Sequence, residues 1–216
     1  MSKDKRPLAA LAGVAFCLLG IAGTLVYPSE PDFVAASSEI TTFYMEEESA
    51  LIPASALYLF GGAFLLVFTG FLRSALGRAE GGEQRVASIA FAGGVAGATL
   101  SLAAASLDVV AALRVDERDE IAPEVATVFW DLGNILFGLA APMALGVLVL
   151  ATAVVARRTG LLPTWHVVVS VLLGVALLAP PINYVAVIVF TFWALITGVV
   201  LYLAGDPRAD PVAAAG

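Results

Sequence analysis

Ionisable and reactive side chains are scarce in these 216 residues, and each shortage removes a class of function. There is one cysteine, Cys17, which rules out an intramolecular disulfide framework or a cysteine-based metal cluster. There is one histidine, His166, so no histidine pair can form a zinc-type site. Charged residues make up only 13% of the chain, about half the share usual in a soluble domain. No phosphate-cradling or dinucleotide glycine pattern occurs, and no nucleophile–base–acid set is visible. The pattern names no catalytic residue, metal or cofactor. A formal charge of −7 argues against nucleic acid as a partner.

What is abundant is apolar sequence. Hydrophobic residues reach 60% and the mean hydropathy is +0.95. A water-soluble fold of this length could not hide that much apolar surface, so the bilayer must serve as solvent. The expected class is all-α: a polytopic helical membrane protein with six transmembrane helices in one bundle. The spans are expected at 8–27, 51–72, 86–113, 134–156, 161–179 and 182–204, within one domain over residues 8–204. A basic head at 1–7 precedes it, and a small, polar tail at 205–216 is expected to be disordered.

The first span also has the form of a signal peptide, a basic head before an apolar run. It is longer than the usual signal core, and Ala35-Ala36-Ser37 is a weak cleavage site. Retention is therefore expected. A lipoprotein reading of Cys17 fails because the bulky Phe16 precedes it.

Within the loops, Ser37 or Ser38 is expected to cap a short helix through Phe43-Tyr44-Met45, and Pro53 to fall in the first turn of the second span. Residues 73–85 read as a glycine-containing loop with Arg73, Arg78 and Arg85. The apolar stretch 125–156 would be about 48 Å long as one helix, too long for a simple crossing. Its beginning should lie at the surface, or it should bend near Pro142. Arg157-Arg158-Thr159-Gly160 reads as a tight basic turn, and Pro180-Pro181 as the last reversal.

Orientation follows from the basic residues. With the N-terminus inside, nine of them (Lys3, Lys5, Arg6, Arg73, Arg78, Arg85, Arg157, Arg158, Arg208) are cytoplasmic, and only Arg114 and Arg118 lie outside. Both termini are then cytoplasmic, in a multi-pass protein of the bacterial inner (plasma) membrane. Acids divide the other way. Eleven fall in the outer loops 28–50 and 114–124, five fall inside, and Asp108 and Asp131 lie near the spans. Such an outer face could attract cations or basic partners, although acidic outer loops are also the ordinary complement of this topology.

Three polar side chains share one expected depth. Asp108 is 23 residues beyond Arg85, Asn134 is 23 before Arg157, and Asn183 is 23 before Asp206. Each interval is about 35 Å of helix. Asp131, one turn from Asn134, would share its face. Asp108, Asp131, Asn134 and Asn183 are thus the candidate ligand or ion site, shallow and outward-facing. The alternative is that helices leave the membrane at this height, where polar residues cost little.

Gly93, Gly97, Ser101 and Ala105 place a small residue at every fourth position of the third span. Such a stripe lets a second helix come close. The partner helix is expected within the chain, with self-association the alternative. Trp165 and Tyr202 read as anchors at one interface, Tyr27 and Trp130 at the other. His166 reads as an interfacial or hydrogen-bonded histidine rather than a ligand.

With these residues in place, the chain resembles a group of small six-span membrane proteins from high-GC, actinobacteria-like bacteria. The features that carry the likeness are Phe43-Tyr44, Leu72-Arg73 with Leu76, Phe91-Ala92-Gly93-Gly94, and Gly160-Leu161-Leu162-Pro163 with Trp165. They span most of residues 40–178. An apolar residue is expected in that group where His166 stands, so His166 is a departure. The resemblance implies architecture and carries no activity.

Two functional expectations follow. One is a non-enzymatic accessory, sensory or structural component whose acidic outer loops contact a membrane-protein partner. The other is a small transporter or ion- or ligand-binding protein using the outer polar cluster.

Overall fold

A computed structural model describes residues 8–180 and 182–204; the expected basic head, the tail and Pro181 lie outside the described residues. A 3-10 turn, Leu8–Leu11, leads into α1 (Ala12–Val26). Then follow α2 (Ser37–Glu80), α3 (Arg85–Arg118), α4 (Pro123–Ile135), a π-helical turn (Leu136–Ala140), α5 (Ala141–Thr159), α6 (Thr164–Leu178) and α7 (Asn183–Ala204). The described residues are all-helical outside their loops.

Five helices are long and apolar enough to cross a membrane: Leu8–Val26, Ser37–Glu80, Arg85–Arg118, Pro123–Thr159 and Asn183–Ala204. The sixth, α6, has 15 residues rather than the 19 expected at 161–179. At 1.5 Å per residue it is about 22 Å long, short of a hydrocarbon core of about 30 Å. Pro163 sets its start, occupying the extended position before the first turn.

The helices close into a ring in the order α1, α2, α3, α5, α6, α7, with α7 back against α1. The main core fills this ring with Phe68, Leu72, Leu76, Leu145, Leu148, Phe190 and Trp193, among others. Two glycines explain the closest approaches. A Cβ on Gly13 would stand 2.5 Å from the Ala194 carbonyl oxygen, so α1 and α7 touch backbone to backbone. On α3, a Cβ on Gly93 would come within 2.8 Å of both the Ala144 oxygen and the Leu148 nitrogen of α5. Gly97 faces Leu145 of the same helix, while Ser101 turns its hydroxyl back to the Gly97 carbonyl and Ala105 is buried.

A second, smaller core caps one end. Ile40, Phe43 and Tyr44 on the first turns of α2 pack with Ala111, Ala112 and Val115 on the last turns of α3, and with Ala126 and Trp130 of α4. That core corrects the expected break before residue 51. The apolar stripe at 40, 43, 44 and 51 stays on one helical face, so packing carries a single 44-residue helix through Pro53. Neither serine caps it: Ala36 is the N-cap, and the carbonyls of Ser37 and Ser38 accept from the Thr41 and Thr42 hydroxyls. Trp130 is likewise no belt anchor, being 2% exposed, whereas Trp165 is exposed.

At the other end the loop expected over 73–85 is reduced to four residues. Gly81, Gly82 and Gln84 adopt positive φ there, making the reversal. Glu80 then accepts the Val86 and Ala87 N–H groups at 3.0 and 2.8 Å, capping α3 with a carboxylate from the preceding helix. Beside Pro142, where a bend is expected, the helix carries the π turn. Pro142 has no N–H to give the carbonyl four residues back, and Ala141 N–H reaches five residues back to Leu136.

Candidate functional site

Around the small core, five elements meet: the loop after α1, the first turns of α2, the last turns of α3, α4 with its π turn, and the start of α7. Helix α4 begins at Pro123, whose missing N–H costs nothing in a first turn. One turn in from its end, Trp130 packs edge-on against Phe43, with ring centroids 5.6 Å apart. Asn134, four residues on and therefore on the same face, donates through Nδ2 to the Trp130 carbonyl at 3.0 Å.

Here lies a cleft of about 460 Å³. Its walls are Glu30, Pro31 and Phe33 of the first loop, Trp130 and Asn134 of α4, Gly138 and Leu139 of the π turn, and Pro180, Asn183 and Tyr184 at the start of α7. Trp130 and Asn183 are each only 2% exposed. The indole Nε1 of Trp130 and the amide Nδ2 of Asn183 are buried donors without a hydrogen-bond partner among the described residues. Such a donor costs about 1–3 kcal/mol, and Ser55 Oγ, Thr69 Oγ1 and Arg114 Nε are in the same state elsewhere in the bundle. No Lys, Arg or His lines the cleft among the described residues. A shallower groove of about 280 Å³ adjoins it, sharing Glu30 and Pro31 and adding Glu39, Glu46 and Glu47. Partial removal of the Glu30 carboxyl from water raises its pKa above the ordinary glutamate value, and the nearby Asp108 charge adds to this.

Of the four residues singled out by depth, Asn134 and Asn183 meet in this cleft. Asp108 and Asp131 do not line it. Asp108 stands behind α4, where a Cβ on Gly133 would lie 3.9 Å from its Oδ1. Its two oxygens are taken by tyrosines: Tyr44 Oη–H donates to Oδ1 and Tyr27 Oη–H to Oδ2, both at 3.1 Å. Two donors on one carboxyl is the arrangement of an ionised carboxylate, here joining the ends of α1, α2 and α3. Asp131 is exposed, because α4 turns Trp130 and Gly133 inward and leaves it outside. Glu30 was not singled out from the sequence, and Trp130 was read there as an interfacial anchor rather than as part of a site. The i, i+4 spacing of Trp130 and Asn134 was a usable signal for the tryptophan. Glu30 had none, since its place depends on how the first loop folds over α4 and α7.

A second polar cluster links α6 and α7. His166 is 1% exposed, with Nδ1 3.2 Å from Ser170 Oγ and Nε2 3.0 Å from Thr197 Oγ1. Trp193 Nε1–H donates to Ser170 Oγ at 2.8 Å, and the Ser170 hydroxyl donates to the His166 carbonyl at 2.7 Å. The Thr197 hydroxyl likewise gives its proton to the Trp193 carbonyl at 2.7 Å, so both hydroxyls face the imidazole as acceptors and a neutral His166 can donate to one of them. It is thus hydrogen-bonded and buried rather than interfacial. Ser170 and His166 touch, and neither lines either of the two clefts just described; with Trp193 and Thr197 the pair joins α6 to α7.

No cluster of three potential metal ligands occurs among the described residues. In comparisons with known proteins, no family model, no curated protein and no solved structure matches the chain.

Proposed function

We propose that this is a non-enzymatic, multi-pass protein of the bacterial plasma membrane that holds a small ligand in an outward-facing cleft. It crosses six times, with both termini in the cytoplasm, as in the six-span group its motifs resemble. The observation that carries the ligand reading is the cleft of about 460 Å³, walled by side chains from three separate parts of the chain and edged by Glu30.

Several features support the membrane placement. The bundle's perimeter carries exposed large side chains such as Phe60, Phe64 and Val67 on α2, Leu172 and Val175 on α6, and Val185 and Ile188 on α7. A face of this kind is stable against lipid and not against water. Nine basic residues against two favour the stated orientation. The apolar neighbours Leu161, Leu162 and Ala179 extend the reach of short α6.

The test is native mass spectrometry of protein extracted from its own membrane. The wild type should carry a small-molecule adduct that Tyr184→Ala, which strips an exposed wall of the cleft, loses; an adduct absent from the wild type, or unchanged in the variant, removes the ligand reading. Topology is checked separately. In a Cys17→Ala background, Asp116→Cys should react with an impermeant thiol reagent added outside intact cells, and labelling only from the cytosol would overturn the orientation.

A second reading draws on the exposed carboxylates at this end: Glu39 and Glu46 on α2, and Asp116, Glu117, Asp119 and Glu120 around the turn after α3. They would form the contact surface for a basic membrane-protein partner. Pull-down with Glu39 and Glu46 changed to Gln tests it, and an unchanged set of captured proteins would count against it.

A further inference from the structure

At the end of the bundle opposite the cleft, one cation lies well inside a helix. Arg73 comes seven residues before the end of α2 at Glu80, about 10 Å of helix. The approaches of Gly62 to Leu102 and of Gly94 to Thr69 fix α2 and α3 in an antiparallel register that brings Arg73 level with Phe91. Its guanidinium lies over the Phe91 ring, 5.7 Å from the centroid. Phe91 is 17 residues before Asp108, or about 26 Å of helix. With Asp108 near one boundary of a hydrocarbon core about 30 Å thick, Arg73 stands at the other.

A guanidinium at that height needs an anion. Among the described residues no carboxylate pairs with Arg73: Glu83 pairs with Arg85, and both oxygens of Glu80 accept N–H groups of α3. Arg73 is half-buried and Phe91 is exposed, so the open side of the guanidinium faces out of the bundle. Phospholipid phosphates lie at this level, and a guanidinium can hold one through two parallel hydrogen bonds.

A second observation points outward as well. Gly70, one turn deeper on the same face, has open space where its Cβ would be, with nothing within 4 Å. On the same helix Gly61 and Gly62 face Leu19 and Leu102. No positive φ and no contact within the chain calls for glycine at 70, although glycine weakens the middle of a helix. What approaches that notch comes from outside the chain.

We propose that Arg73, Phe91 and Gly70 form a site for an anionic phospholipid of the cytoplasmic leaflet. Its phosphate sits on the Arg73 guanidinium, and its glycerol end runs over Gly70 between α2 and α3. A choline or ethanolamine headgroup gains less, because Phe91 already holds a cation and no carboxylate beside it is free. The leaflet rests on the orientation proposed above; the lipid class does not.

The experiment places the full chain in phosphatidylcholine nanodiscs with increasing phosphatidylglycerol, read by native mass spectrometry and thermal unfolding. Both faces of a nanodisc hold the same lipids, so the result is independent of the orientation and of the cleft. Phosphatidylglycerol should be retained and raise the melting temperature, binding about tenfold more tightly than phosphatidylcholine, the worth of one charge-assisted contact. Arg73→Gln should abolish that preference, and Arg73→Lys, which keeps the charge and loses the fork, should fall between. Arg78→Gln, exposed near the end of the same helix, should leave the preference in place. Gly70→Leu has open space to enter, so it should fold and yet retain less phosphatidylglycerol. Equal binding of the two lipids, equal losses in Arg73→Gln and Arg78→Gln, or retention unchanged by Gly70→Leu would overturn the site. So would a wild-type dimer that Gly70→Leu splits, because a second copy would then fill the notch. Glycerol 3-phosphate stabilising the protein in micelles as strongly as the lipid does would overturn the lipid assignment in favour of a soluble anion.

Discussion

The hydrogen bonds at Asp108 allow a sharp test of its charge state. Tyr44 is fully buried, and Tyr44→Phe deletes one O–H donor with almost no change in packing. If the acceptor is an ionised carboxylate, the bond contributes about 1.5–3 kcal/mol. A neutral bond between helices in lipid averages about 0.6 kcal/mol by double-mutant cycles. The two cases differ by more than twofold, enough to decide. Tyr44→Phe should therefore cost about 2 kcal/mol in the wild-type background and about 0.6 kcal/mol in an Asp108→Asn background. Tyr27→Phe, which frees the other oxygen, should behave alike. The double tyrosine variant should lose more than the sum of the singles, because it leaves a buried charge with no donor. Equilibrium unfolding in mixed dodecylmaltoside–SDS micelles, followed by circular dichroism, gives all the corners of the cycle. An equal cost of Tyr44→Phe with and without the Asp108→Asn substitution would refute the reasoning that Asp108 is charged and that its charge ties three helices.

The other expectations rest on neighbouring parts of the bundle. Ser170→Ala strips the acceptor from Trp193 Nε1; leaving that buried donor unmet should cost about 1–3 kcal/mol in the same unfolding assay, whereas Thr41→Ala on the surface should cost almost nothing. Gly93→Ala drives a methyl into the backbone of α5 and should destabilise by about 1–3 kcal/mol. Gly62→Ala meets only the movable end of Leu102 and regains about 1 kcal/mol of helix propensity, so its melting temperature should stay near wild type. For Glu30, a folded-state pKa raised above the ordinary 4.5 means that folding disfavours the charged form. Its contribution is fully present below the ordinary value and is lost as pH rises through the raised one. Acidifying from neutrality toward pH 4.5 should thus stabilise the protein, and a Glu30→Gln variant should show a flatter melting-temperature profile over that window.

Much of the architecture was legible because apolar runs of hydrocarbon length leave few alternatives to helix. The ends of those helices were less legible. Pro53 and the acids at 46–48 argued locally for a break, yet Ile40, Phe43 and Tyr44 had a surface to bury against α3 and α4, and that packing outweighs the proline. At 161–179 the run looked uniformly apolar, but Pro163 delays the start of α6. The depth count brought Asn134 and Asn183 to one cleft because both sit a similar length of helix from basic or acidic markers. It could not tell that Asp108 would be claimed by two tyrosines or that Asp131 would face outward, since distance along a helix fixes height and leaves rotation open.

By itself, then, the sequence determined the helical class, the apolar segments and the uneven split of basic and acidic residues between alternate loops. Those are properties of single segments, set by composition and by a rise of about 1.5 Å per residue. Only the tertiary structure decided which faces meet. It closed the ring through Gly13 and Gly93, buried His166 with Thr197, and folded the first loop so that Glu30 stands beside Trp130 and Asn183. Such contacts join residues far apart in the chain, and they are chosen by mutual fit of several helices at once, which no single stretch encodes.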